Sequence, residues 1–88
     1  MDRVTKWEDI SFILSSNYRK NVLKNLESPK TPSRLSKDLD INKTHISKTL
    51  SELTSRKMIE CLTPNSSKGK LYLITKYGKE ILSQVLKL

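Results

Sequence analysis

Apolar residues recur along this chain at two different spacings, and the change from one to the other divides it. Trp7, Ile10, Ile13 and Leu14 stand three and four apart, with Glu8 and Asp9 near the start, where acids suit the helix dipole. They predict a first short helix. Ser15-Ser16-Asn17 supplies cap chemistry, and Tyr18, Val22, Leu23 and Leu26 then follow the same rule among Arg19, Lys20 and Lys24. This second helix is expected to end near Glu27, where Ser28-Pro29-Lys30 breaks the pattern.

Thr31-Pro32 restarts it, with a hydroxyl at the cap and proline at the first helical position. A third helix is expected from about Pro32 to Asp38, marked by Leu35 and Leu39, and the connector Asp40-Ile41 follows, with Ile41 as a plug into the core. Asn42 caps a fourth helix whose apolar positions Ile46, Leu50 and Leu53 form one narrow stripe up to about Arg56. Beyond it the spacing turns extended. Ile59 to Leu62 and Leu71 to Ile74 read as two strands around the polar stretch 63–70, a hairpin with a long basic tip. Thr75 then caps a last helix carrying Tyr77, Ile81, Leu82, Val85, Leu86 and Leu88. The expected order is α-α-α-α-β-β-α, mainly α with a small β-hairpin.

The chain has 88 residues, which suits one domain spanning 1–88 and leaves no room for two independent cores. Seventeen Lys and Arg against nine Asp and Glu give a net charge of +8. Such a field attracts polyanions, and duplex DNA carries the densest regular charge, although RNA, anionic membranes and acidic proteins share the attraction. Cys61 is the single cysteine and has no intramolecular partner; no Cys/His spacing matches a zinc site. Neither a signal peptide nor an apolar run near the ~20 residues of a membrane span is apparent. The expectation is a cytoplasmic protein, without metal, cofactor or membrane.

Helices three and four with their short turn make a helix-turn-helix, and the basic-tipped hairpin behind them makes a wing. Taken together, Thr31-Pro32-Ser33-Arg34-Leu35-Ser36-Lys37-Asp38-Leu39, Asn42-Lys43-Thr44-His45-Ile46-Ser47-Lys48-Thr49-Leu50-Ser51-Glu52-Leu53, Met58-Ile59-Glu60 and Leu71-Tyr72-Leu73-Ile74-Thr75 carry a resemblance. The sequence resembles the winged helix-turn-helix transcriptional regulators of the MarR-like and ArsR-like kind, especially small archaeal versions. The resemblance implies that the fourth helix enters the major groove, with Lys43, Thr44, His45, Ser47 and Lys48 at reading positions. Helical geometry agrees. At about 100° per residue, Ile46, Leu50 and Leu53 cluster on one side, Thr44, Lys48, Ser51 and Ser55 lie opposite, and His45 and Ser47 flank them.

Ser33 and Arg34 open helix three, where free N–H groups and a guanidinium can hold a phosphate. Ser66, Ser67, Lys68 and Lys70 decorate the hairpin tip, which the resemblance places at the DNA backbone or in the minor groove; lysine without arginine favours phosphate contact. Trp7, Tyr18 and Tyr72, on apolar stripes, are expected in the core or at a dimer contact. His45 has no metal-ligand neighbour at a suitable spacing and no nucleophile to serve, so no enzyme activity is expected and its outward position makes it a DNA contact. The apolar terminal helices suggest a homodimer built from Trp7, Ile10, Leu14, Ile81, Leu82 and Val85.

Two departures from the family pattern matter. Many relatives have glycine just after the recognition helix, whereas this chain reads Ser55-Arg56-Lys57, so the helix end must be capped differently or carry a strained residue. No added ligand-binding domain is expected within these residues, and no effector is indicated. The alternative reading is a winged-helix module that binds proteins in a transcription or assembly complex. The outward face of helix four argues against it, because Lys43, Thr44, Lys48 and Ser51 are neither apolar nor acidic.

Overall fold

In the computed structural model, which describes residues 2–66 and 69–88 and side chains from residue 6 onward, the elements run α1 Asp2–Leu14, α2 Asn17–Asn25, α3 Pro32–Leu39, α4 Lys43–Ser55, β1 Ile59–Cys61, β2 Tyr72–Ile74 and α5 Lys76–Lys87. Each helix from α2 to α5 begins immediately after a residue whose side chain caps it. Ser16 accepts from the Arg19 N–H, Thr31 from Arg34, Asn42 from Thr44 and Thr75 from Gly78. These oxygens satisfy N–H groups that the first helical turn leaves without partners, so the starts are fixed by local chemistry.

The core draws on all five helices and the hairpin: Ile10, Ile13, Val22, Leu23, Leu26, Leu35, Ile41, Ile46, Leu50, Leu53, Met58, Ile59, Ile74, Ile81, Leu82 and Val85 are buried together. Ile41 fills the turn between α3 and α4, as its place in the sequence requires. That turn is held by Asp40 at a φ of 54°, with the Ile41 N–H reaching back to the Ser36 carbonyl and the Ser36 hydroxyl donating to the Ile41 carbonyl. Thr49 joins the buried face of α4, although it is polar.

The end of α4 resolves the missing glycine. Lys57 occupies the left-handed region at a φ of 64°, its N–H bonds the Thr54 carbonyl at 2.9 Å, and the Met58 N–H bonds the Leu53 carbonyl at 3.0 Å. This is a Schellman closure, with Met58 and Leu53 buried as its usual apolar pair. A Cβ in that conformation costs about 1–2 kcal/mol. Lys57→Gly is therefore expected to raise stability by about 1 kcal/mol once the looser unfolded chain is counted, seen as a higher urea midpoint; a lower midpoint would mean that the lysine side chain is holding something in place.

β1 and β2 pair antiparallel in the register Ile59↔Ile74, Glu60↔Leu73 and Cys61↔Tyr72. Both strands are shorter than the sequence suggests, although the Leu62 N–H still reaches the Leu71 carbonyl. The segment at Ser28-Pro29-Lys30 does more than break a helix. Lys30 exchanges two backbone hydrogen bonds with Tyr72, and the Ile74 N–H bonds the Leu26 carbonyl, so the hairpin is docked along the chain that joins α2 to α3. A single bridging residue leaves no period-two pattern to read.

α1 lies against α5, and this packing corrects the expected dimer contact. Ile10, Ile81, Leu82 and Val85 are inside this chain's own core. Of the six residues assigned to a second copy, only Trp7 at 63% and Leu14 at 50% are exposed. Helical geometry explains the division. At about 100° per residue, the covered arc of α1 runs from Asp9 through Ile13 to Ile10, and Trp7 and Leu14 fall together past its edge. Trp7 is thus not a core residue, and Asp9 is. Among the described residues no helix is long and apolar enough to cross a membrane.

Candidate nucleic-acid interface

α4 buries Ile46, Thr49, Leu50 and Leu53 and turns its opposite side to solvent. Lys43, Thr44, His45, Ser47, Lys48 and Ser51 are all exposed on it. Two hollows border the helix. One, of about 240 Å³, lies toward α2 and is lined by Ser16, Tyr18, Arg19, His45, Lys48, Thr49 and Glu52. The other, of about 410 Å³, lies toward the base of the hairpin and is lined by Pro32, Ser47, Leu50, Ser51, Thr54, Ser55 and Tyr72. The helix is therefore a raised ridge bearing small polar and basic side chains, and the five expected reading residues share it.

Ser33 and Arg34 sit exposed in the first turn of α3. Arg34 is already engaged: its Nε lies 3.1 Å from the Asp38 carboxylate one turn on, and Lys30 reaches the same carboxylate at 3.3 Å. Burial pushes the Asp38 carboxyl up, but the hydrogen bonds and charges of Lys30 and Arg34 outweigh it and leave it below its ordinary value. A phosphate at this edge would compete with Asp38 for the guanidinium.

At the hairpin tip, Lys70 is exposed and Gly69 takes a φ of 60°. A turn at 63–66 closes through the Ser66 N–H and the Thr63 carbonyl, and the Thr63 hydroxyl accepts from the Leu71 N–H. Ser67 and Lys68, also expected at the tip, lie outside the described residues.

Tyr18 is the residue that sequence reasoning misplaced here. It shares a three-and-four stripe with Val22 and Leu26, yet it is 47% exposed, because at about 100° per residue it stands at the edge of the arc that Val22, Leu26 and Leu23 bury. Its ring instead packs on His45, with centroids 5.4 Å apart and planes inclined by 52°. Tyr72, by contrast, is half-buried against the core, as expected.

A polar network behind the ridge fixes its orientation, and the spacing of apolar residues gave no sign of it. Arg19 on α2 grips Glu52 on α4 with Nε and Nη2 at 3.2 and 3.3 Å, and its Nη1 bonds the Phe12 carbonyl and the Ser15 hydroxyl. The Phe12 ring lies between two guanidinium groups, Arg19 at 3.8 Å and Arg56 at 3.9 Å from its centroid. Arg56, just past the end of α4, reaches the buried Asp9 carboxylate of α1 at 2.8 Å. The Tyr77 hydroxyl of α5 donates to the other oxygen of Asp9 in a short hydrogen bond. Burial, then that bond and the charge of Asp9, push the Tyr77 hydroxyl well above its ordinary value, so it stays a donor. The C-terminal part of α4 is thereby tied to α1, α2 and α5.

The chain was compared with solved structures. A mutant of MarR from E. coli in complex with operator DNA superimposes with a TM-score of 0.75 at 28% identity, over 99% of this chain and 64% of that one. The fold is that of a MarR-type winged helix. A transcriptional regulator from Thermotoga maritima gives a TM-score of 0.74 at 20% identity, over 96% of this chain and 61% of its own. The regulator BldR from Sulfolobus solfataricus gives 0.72 at 18% identity, over 82% and 53% respectively. The MarR-type winged helix described here thus spans less than two thirds of the length of these relatives. No protein-family model and no curated protein matches the chain. Within this fold α3 and α4 are the helix-turn-helix and the β1–β2 hairpin is the wing. Among the described residues no group of His, Cys, Asp and Glu is placed to hold a metal ion.

Proposed function

We propose that this chain is a double-stranded DNA-binding protein and a transcriptional regulator, not an enzyme, that inserts α4 into the major groove. The observation that carries this reading is the ridge of α4, where Lys43, Thr44, His45, Ser47 and Lys48 are exposed together between two hollows. Lysine ammoniums neutralise phosphates and reach guanine acceptors, while Ser and Thr permit a close approach to base edges. The net charge of +8 supplies the long-range attraction. Ser33 and Arg34 hold a phosphate beside the groove, and Ser66, Ser67, Lys68 and Lys70 set the wing on the backbone or in the minor groove. That a MarR relative was solved in complex with operator DNA supports duplex binding.

Two copies are proposed to bind two half-sites about one helical turn apart. The exposed Trp7 and Leu14, with Leu86 on α5 and Leu88 just after it, supply the apolar surface for pairing. Sedimentation showing only monomer at micromolar concentration would remove that pairing.

The test of DNA binding is fluorescence anisotropy of a mixed-sequence duplex titrated with protein across a salt series. Affinity is expected to fall with salt with an exponent on the order of 4–8, and the double variant Lys43→Ala/Lys48→Ala is expected to lower that exponent by about 2. Salt-sensitive binding indifferent to both substitutions would mean that another face meets the DNA. Absence of binding at low salt would exclude the DNA reading and favour a protein-binding winged helix.

A further inference from the structure

His45 is the single histidine of the chain, and it stands exposed in the first turn of α4, on the flank of the ridge that faces α2. Its ring rests against Tyr18, which is itself exposed and lines the same hollow. Imidazole is the side chain whose ordinary charge change falls between about pH 5 and 8. Charged and titratable groups among the described residues surround it on two helices. On its own helix are Lys43, Lys48 and Glu52, and on α2 are Tyr18 and Arg19. Glu52 is held by Arg19, and among the described residues no carboxylate pairs with the imidazole. Two lysines and a helix N-terminus, whose dipole disfavours a cation, therefore offer an imidazolium no counter-charge within the chain.

We propose that the chain binds duplex DNA with His45 protonated, taking up one proton as α4 docks, and that Tyr18 is a positioning residue that holds the imidazole toward the nucleic acid. The proposal rests on the DNA-binding reading above. A duplex supplies what the free chain lacks, since phosphate oxygens and the N7 and O6 acceptors of guanine stabilise the charged imidazole and accept from both of its nitrogens. Free solution is the reference state, so the proton is bound more tightly in the complex, and affinity must rise as pH falls. One coupled proton limits the change to at most tenfold per pH unit. The tilted stack with Tyr18 fixes the ring plane before binding, so the orientation is prepared in the free protein. DNA affinity would thereby respond to pH through one side chain.

The experiment is duplex anisotropy at constant ionic strength from pH 5.5 to 8.5, with the wild-type chain, His45→Gln, Tyr18→Phe and Tyr18→Ala. Wild-type affinity is expected to rise by about tenfold from pH 8 to pH 5.5, and the salt exponent to grow by about 0.9, as one additional phosphate contact requires. His45→Gln should flatten both changes; Tyr18→Phe, which keeps the ring, should preserve them. Tyr18→Ala should shrink the pH response while the melting temperature stays close to wild type, an outcome that a merely structural tyrosine would not give. A pH response that survives in His45→Gln would overturn the proposal. So would salt-sensitive binding that is flat with pH in the wild-type chain, and either result would leave the DNA reading standing. Loss of duplex binding at every pH would instead remove both.

Discussion

Replacing Gly78 by alanine is expected to destabilise the protein by about 2–3 kcal/mol, in the range of severe overpacking. Gly78 lies in the first turn of α5, where alanine would ordinarily improve a helix by about 1 kcal/mol. The surroundings reverse the sign. A Cβ built there stands 2.0 Å from the Met58 carbonyl oxygen and 2.8 Å from Cγ1 of Ile74. A side-chain tip could move aside, but this carbonyl is fixed. It accepts from the Thr75 N–H at 2.9 Å, while the Thr75 hydroxyl donates to the Lys57 carbonyl and accepts from the Gly78 N–H. The start of α5 is thus clamped onto the turn that ends α4, and the added methyl would part the two. At about 4–8 °C per kcal/mol for a domain of this size, thermal unfolding should move down by roughly 10–20 °C. A variant as stable as the parent would show that the two segments do not approach so closely.

The second large effect is expected at the buried carboxylate of Asp9. Its side chain is only 5% exposed, whereas its partner Arg56 is 39% exposed, and the two substitutions should therefore be unequal. Arg56→Ala leaves an enclosed charge whose remaining partner among the described residues is the Tyr77 hydroxyl; breaking a buried pair in this way costs about 3 kcal/mol, here reduced somewhat by the exposed side of the pair. Asp9→Asn removes the charge itself, keeps an acceptor for Tyr77, and leaves a guanidinium that reaches water. About 1 kcal/mol is expected. In the double variant the carboxylate is gone before its partner is lost, so the total should fall well short of the sum. Urea unfolding of the three variants checks this, and equal costs for the two single substitutions would contradict the enclosure of Asp9. Because Arg56 also covers the Phe12 ring, its loss should loosen the end of α4 and weaken duplex binding in proportion.

Much of the fold was legible in the sequence because the signals involved are local. Ser16, Thr31, Asn42 and Thr75 each start a helix within one turn of their own position, and the spacing of Ile46, Leu50 and Leu53 fixes which side of α4 turns inward. The exposed set on α4 follows from that side by geometry alone, so the candidate interface was legible too. The left-handed residue after α4 was also foreseen as one of two solutions, since a Schellman turn there without glycine must place some other residue at positive φ, and Lys57 takes it.

What the spacing of apolar residues could not decide is which apolar stripe finds a cover. Trp7 and Tyr18 are in phase with buried neighbours and are nevertheless exposed, one past the arc that packs inward and one at the edge of it on its own helix. Ile10, Ile81, Leu82 and Val85 met each other within the chain instead of a second copy, because α1 and α5 are brought side by side by elements more than sixty residues apart. Separations of 47 residues from Asp9 to Arg56 and 68 from Asp9 to Tyr77 hide their network, whose members read singly as a helix-start acid, a helix-end base and an apolar-stripe aromatic. The sequence by itself determined the order of elements, their starts and the outward face of α4, since each depends on residues within a few turns of one another. Only the tertiary structure decided the seating of the hairpin on Lys30, the place of Tyr18 beside His45 and the burial of Asp9, since each needs two distant segments to meet in space.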